Sequence, residues 1–150
     1  MKFILLRNGA IALVDDEDYD YIKQRKWSLN NTGYATSSLG FMHRVIIGTP
    51  TGMCTDHINH DKLDNRKSNL RICTKSQNQG NLKIITRKKS SKYKGVSWCK
   101  KAQRWMVKIN DNGKQRHVGV FKSEIEAAKR YDKEATLVFG EFALINGVEQ

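Results

Sequence analysis

The alternation of apolar and polar positions changes character several times along the chain, and each change predicts an element. Residues 3–6 and 10–14 are apolar runs on either side of Asn8-Gly9, a pair suited to a tight two-residue turn, so a β-hairpin is expected there. The run Asp15-Asp16-Glu17-Asp18-Tyr19-Asp20 then opens an expected short helix over residues 17–26, because carboxylates stabilise a helix N-terminus. Trp27 and Tyr34-Ala35-Thr36, joined through residues 30–33, predict a second hairpin. Residues 42–48 are apolar and short, and their period does not separate strand from helix. Thr55-Asp56-His57-Ile58 predicts a strand that enters a polar loop, and Leu70-Arg71-Ile72-Cys73 predicts its return. Thr74-Lys75-Ser76-Gln77 fits a capping box, so a short helix is expected to start at Thr74 and run through Asn78.

A basic stretch over residues 83–91 reads as a linker. Three strands are expected beyond it, at 93–98, 105–110 and 115–121, with Asp111-Asn112-Gly113 turning between the last two. Along the middle strand Trp105, Val107 and Ile109 share one face and Met106, Lys108 and Asn110 the other. Ser123-Glu124-Ile125-Glu126 is a second capping box. The apolar spacing Ile125, Ala128, Tyr131, Ala135, Val138 predicts one amphipathic helix closed by Gly140. Trp105 and Tyr131 are expected in the core of this second part. No internal repeat is visible.

Charge narrows the partner. The chain carries 27 Lys and Arg against 15 Asp and Glu, a net charge of +12 over 150 residues. The excess is uneven: residues 1–22 balance to −3, residues 23–90 to +10 and residues 91–150 to +5. A polyanion partner follows, since each neutralised phosphate releases condensed counterions. Three cysteines without a C-x-x-C pair exclude a disulfide frame and a structural zinc knuckle, and read as small hydrophobes in a reducing cytosol. No apolar run is long enough for a membrane span, and the first residues are broken too early by charge for a signal peptide.

The densest polar stretch runs from Thr55 to Arg71 and contains the adjacent pair Asp56-His57. A carboxylate beside an imidazole suits metal-assisted hydrolysis, because Mg²⁺ takes hard oxygen ligands and keeps several waters while a neutral histidine accepts a proton from water. From the residues alone, a solvated polar hairpin with a capping Asp and an idle His is equally compatible. Asp61 and Asp64 suit turns.

Met42-His43-Arg44, Asp56-His57-Ile58-Asn59, Leu63-Asp64-Asn65-Arg66, Asn69-Leu70-Arg71 and Ser76-Gln77-Asn78 together resemble the HNH homing endonucleases of phage introns and free-standing phage genes. The resemblance implies a ββα-metal nuclease module, with Asp56 as a metal ligand, His57 as general base, and Asn69 orienting the imidazole and bracing the loop. Asn78 would be the second ligand, and an Asp with an Asn favours Mg²⁺ or Mn²⁺ over Zn²⁺. Arg44, Arg66 and Arg71 would clamp phosphate. Residues from Tyr93-Lys94-Gly95-Val96 to Asn146 are similar to the Apetala/ethylene-response-factor DNA-binding domain, in which the outer face of a sheet lies in the major groove. On that likeness Lys94, Ser97, Trp98, Lys100, Lys108, Asn110, Gln115 and His117 would meet DNA.

The expected protein is therefore α+β. Residues 1–82 would hold a β-rich support and the nuclease module, residues 83–91 a linker, and residues 92–150 a three-stranded antiparallel sheet packed on one helix. The expected function is metal-dependent, homing-type cleavage of double-stranded DNA, one strand at a time. The resemblance further implies a phage-encoded monomer in the cytoplasm of a host cell, with a dimer as the other possibility. No membrane and no protein partner is indicated. Two alternatives stand beside it, a non-catalytic DNA-binding protein with a decayed nuclease module and a basic RNA-binding protein. The aromatic signature of an RNA recognition motif is missing.

Overall fold

A computed structural model describes residues 1–83 and 90–148, so most of the expected linker lies outside the described residues. The chain divides into two units, Met1–Thr74 and Lys75–Gln150, and the whole is mixed α/β with antiparallel sheets. No helix among the described residues is long and apolar enough to cross a membrane.

In the first unit β1 (Lys2–Leu5) and β2 (Ile11–Val14) pair in antiparallel register about the Asn8-Gly9 turn. Their alternation is one-sided. Ile4, Ala12 and Val14 are buried, while Phe3, Leu5 and Ile11 are exposed. Helix α1 (Asp16–Ile22) is shorter than its expected span, and the Trp27 indole donates to the Ile22 carbonyl (2.8 Å) just beyond its end. Ile4, Leu6, Ala12, Val14, Ile22, Trp27, Ala35 and Met42 form one apolar cluster. The strands β3 (Ser28–Leu29), β4 (Ala35–Ser37) and β5 (Gly40–Phe41) make a small sheet beside it. The ambiguous segment is a helix, α2 (Met42–Ile47). Gly48 decides this by taking the left-handed conformation (φ 65°) that ends a helix, its N–H donating to the Arg44 carbonyl.

The expected strands at 55–58 and 70–73 are β6 (Cys54–His57) and β7 (Leu70–Cys73), paired antiparallel and preceded at β7 by a 3₁₀ turn (Lys67–Asn69). The long loop between them is tied to the N-terminal hairpin. Leu13 N–H donates to the Leu63 carbonyl and Asn65 N–H to the Leu13 carbonyl, both at 2.8 Å. The acidic cluster holds the far side, with Asp15 accepting from Lys67 N–H (2.8 Å) and Glu17 and Asp18 pairing with the Lys67 ammonium. Residues 1–41 thus support the loop directly.

In the second unit β8 (Val96–Cys99), β9 (Arg104–Asp111) and β10 (Lys114–Phe121) form a sheet with β9 in the middle. Asn112 and Gly113 both take positive φ (49° and 78°), which is what the tight β9–β10 turn requires. Helix α4 (Glu124–Phe139) starts at a complete Ser123–Glu126 capping box. Val107 and Ile109 are buried with Ala127, Ala128, Tyr131 and Ala135 of that helix. Trp105 departs from expectation. It is only half-buried and meets Trp98 edge to face at 5.1 Å, so the strand's apolar face runs out before its end.

Helix α3 (Lys75–Asn81) makes its described contacts in this unit. Gly80 lies against Phe139, where an added Cβ would come within 2.6 Å of the ring carbon Cγ. The Lys94 ammonium donates to the carbonyls of Gly80 and Gln79, and burial pushes its pKa down to about 8. Asn146 joins the chain ends of the unit, accepting from Lys94 N–H (2.6 Å) and donating to Asp132 (2.7 Å from the backbone). Gly95 sits between these groups at φ 73°, and a Cβ there would lie 2.0 Å from the Tyr131 ring. G95A should therefore combine a strained backbone with a clash and destabilise the second unit by about 3 kcal/mol. A melt followed by tryptophan fluorescence measures this, since Trp98 and Trp105 report on that sheet.

Candidate active site

The β6–β7 register places Asp56 opposite Arg71 and His57 opposite Leu70. His57 ends its strand, and the chain then turns through Asn59, His60 (φ 65°) and Asp61. Short polar side chains shape this turn. Asn59 accepts from Asp61 N–H (2.8 Å) and Asp61 from Leu63 N–H (3.0 Å). Asp64 is buried and accepts from Arg66 Nε and Nη2 (both 2.7 Å) and from the Asn59 amide (2.9 Å). Arg66 in the first place holds its carboxyl below the usual range. Asn69 crosses the loop, accepting from Asn59 N–H (2.9 Å) and donating to the Asp64 carbonyl (2.8 Å).

His57 is 5% exposed and lies among aromatic rings. His43 meets it edge to face at 5.0 Å and 82°, and Tyr34 lies at 5.8 Å. Phe41 stacks on the other side of His43 (5.4 Å, 17°), and Lys62 sits over the Tyr34 ring (4.8 Å). Burial lowers the His57 pKa from 6.5, against the opposing effects of a hydrogen bond with Asn65 and the charges of Asp56, Asp61 and Asp64. Burial pushes His43 further, to about 4, with His57 and Arg44 adding to the effect. Tyr34 is raised by burial and by the Asp56 charge. Both imidazoles are therefore neutral at physiological pH, and His57 is chemically able to accept a proton.

Asp56 is 6% exposed, and its Oδ2 receives both Nε (2.9 Å) and Nη2 (2.8 Å) of Arg71. Among the described residues no group of three His, Cys, Asp or Glu could form a closed metal cage. One carboxylate among amides is a hard, incomplete donor set. It fits an ion such as Mg²⁺ that keeps water and takes substrate oxygens, and does not fit structural zinc.

A family model described as HNH endonuclease matches residues 41–79, which span α2, β6, the loop, β7 and most of α3. The chain is 33% identical over 150 residues to an uncharacterized HNH endonuclease of Acanthamoeba polyphaga mimivirus, covering 94% of this chain and 77% of that protein. The chain belongs to the HNH endonuclease family. It is also similar to Protein 3.8 of Escherichia phage T7, at 33% identity over 66 residues (44% of this chain, 54% of that one). A third likeness is to the AP2-like ethylene-responsive transcription factor TOE2 of Arabidopsis thaliana, at 42% identity over 62 residues (41% and 13%). No solved structure matches.

The other residues expected to act in this HNH endonuclease fall into three groups. Asn78 stands half-buried on α3, in the second unit. The three arginines expected to clamp phosphate all have partners: Arg44 donates to the Met53 carbonyl (3.3 Å), Arg66 grips Asp64, and Arg71 grips Asp56. On the sheet of the second unit, Ser97 pairs with Met106, His117 with Lys108 and Gln115 with Asn110, so these polar side chains share the face away from α4. A cleft of about 390 Å³ there is lined in part by Tyr93, Ser97, Lys108 and Gln115. Lys100 is exposed in the β8–β9 turn, and the Asn110 amide donates to Gln79 of α3 (3.0 Å).

Two positions need correcting. Trp98 pairs with Trp105 and shares the face of Val96 and Val107 toward α4, because an even step from Val96 returns the side chain to that side. Lys94 is occupied by the α3 carbonyls and does not project from the sheet.

Sequence reading missed the aromatic cage and Asn65. Tyr34 is distant in the chain and carried no chemical signature, and His43 sat in a segment of undecided structure. The cage has a thermodynamic consequence. A histidine near 6.5 when unfolded and about 4 when folded contributes stability that is full above pH 6.5 and lost as pH falls toward 4. Between those limits H43F should flatten the pH dependence of unfolding free energy by roughly 2–3 kcal/mol. Urea titrations at pH 7 and 4.5 on both chains measure the difference.

Proposed function

We propose that this chain is a homing-type DNA endonuclease that nicks duplex DNA at a ββα-metal site. Its nuclease module would lie in residues 1–82 and its DNA-reading module in residues 92–150. The observation that carries the reading is the His57 imidazole, buried and kept neutral by its cage beside the carboxylate of Asp56, within the segment that the HNH family model covers. His57 takes the proton of the attacking water. The ring cage surrounds the imidazole, and Asn69 holds the loop in which it sits. On the family resemblance, Asp56 and Asn78 would be the residues to hold one Mg²⁺ or Mn²⁺. The bound ion supplies electrostatic stabilisation at phosphorus and at the departing 3′ oxygen. The products are a 5′-phosphate and a 3′-hydroxyl.

The likeness to a transcription factor supports duplex binding by the second unit. Ser97, Lys108, Asn110, Gln115 and His117, with Lys100 at the turn, form the polar face offered to the groove, while Arg44, Arg66 and Arg71 of the first unit would clamp phosphate. The face has Lys108 and Gln115 in place of arginine forks, so base discrimination is modest.

Supercoiled plasmid incubated with Mg²⁺ should convert to the nicked form, and EDTA or H57A should abolish conversion. Nicking that persists in H57A would remove His57 from the mechanism. Duplex binding without cleavage by the native chain would favour a non-catalytic DNA-binding protein.

A further inference from the structure

We propose that Arg71 makes metal loading at Asp56 depend on DNA. The inference rests on the reading above, that Asp56 holds the ion. Strand register puts the two side chains directly across from each other, and both are largely buried, with side-chain exposures of 16% and 7%. The ion pair is therefore shielded from water and is a standing feature of the fold.

Its geometry differs from the neighbouring Arg66–Asp64 pair. The Arg66 side chain places one donor on each oxygen of Asp64, its backbone N–H adds a third and Asn59 a fourth, so that carboxylate is saturated as a structural clamp. Arg71 places both donors on one oxygen of Asp56, Oδ2. A guanidinium and a divalent cation repel each other and compete for the same carboxylate charge. In the DNA-free protein Arg71 holds that charge and weakens the ion's grip.

A DNA phosphate changes the competition. It offers Arg71 a second anion of matching geometry, since the guanidinium fork binds phosphate as well as carboxylate. Each phosphate contact made by Arg71 releases carboxylate charge toward the ion. By linkage the effect is reciprocal, so metal also strengthens DNA binding. The ion is then bound firmly only where there is a strand to cut.

The test is Mn²⁺ binding to the full chain, followed by the electron paramagnetic resonance of free Mn²⁺. Without DNA, R71Q should bind Mn²⁺ more tightly than the native chain by about tenfold, the size of an ordinary coupling between sites. R71K, which keeps the charge and loses the fork, should tighten by about threefold. A short duplex should tighten Mn²⁺ binding to H57A, used so that the duplex stays whole, and should have little further effect once R71Q is added. Unchanged or weaker Mn²⁺ binding in R71Q would overturn the role of Arg71, as would a duplex without effect on H57A. If R71Q loses its circular dichroism spectrum, R71K decides by the same criterion. D56N made in the R71Q chain separates the two levels: Mn²⁺ binding that survives it would show that the ion is not on Asp56, and the underlying reading would fall with the inference.

Discussion

The hydrogen bonds gathered on Asp64 close the loop between β6 and β7, and the chemistry of the first unit depends on that closure. Its carboxylate is shared by Arg66 and Asn59, its carbonyl takes the Asn69 amide, and its backbone bridges to Leu13 of β2. The loop is polar throughout and would be disordered if solvated. It is held because almost every polar side chain in it is spent on the loop's own backbone or on the N-terminal hairpin. His57 and Asp56 then sit at the end of a strand whose exit is fixed. An imidazole can be buried against Tyr34 and His43 only where the backbone leading to it does not wander.

Charge is used in two ways. The acidic run at residues 15–20, at odds with a basic chain, pins Lys67 and through it the 3₁₀ turn that leads into β7. Positive charge in the first unit is partly committed: Arg66 grips Asp64, and Arg71 holds Asp56 in the DNA-free protein. Net charge of +12 therefore overstates what a polyanion would meet on this surface. Exposed cations remain in both units, Arg25 and Lys26 in the first and Lys100 and Lys122 in the second.

Much of the fold was legible in the sequence because the signals were local. Asn8-Gly9 and Asn112-Gly113 marked their turns, the Ser123–Glu126 box marked its helix, and alternation gave the inner face of β9 at Val107 and Ile109. Failures came where a backbone conformation or a distant contact decides. Gly48, by adopting a left-handed cap, settled a segment whose hydrophobic period was silent. Lys94 reads as an exposed cation until the carbonyls of a helix earlier in the chain are brought to it. Trp98 reads as an outward DNA contact until its cross-strand partner is known. At the site, the Asp56-His57 pair stood out by type and adjacency, whereas the rings that keep the imidazole neutral come from residues with no polar pattern to mark them.

Helix α3 joins the last positions of the HNH match to the sheet and helix that follow. Its Gly80 accepts Phe139 at a distance no side chain would permit, and its final carbonyls are occupied by Lys94 and by Leu144 N–H. Anyone dividing this protein for expression in pieces meets that fact at once. A cut after residue 82, natural from sequence alone, would part α3 from Phe139 and Lys94. The boundary between the two compact units falls between Thr74 and Lys75. The helix is thus shared between two demands, the HNH match that it ends and the sheet and helix against which it packs.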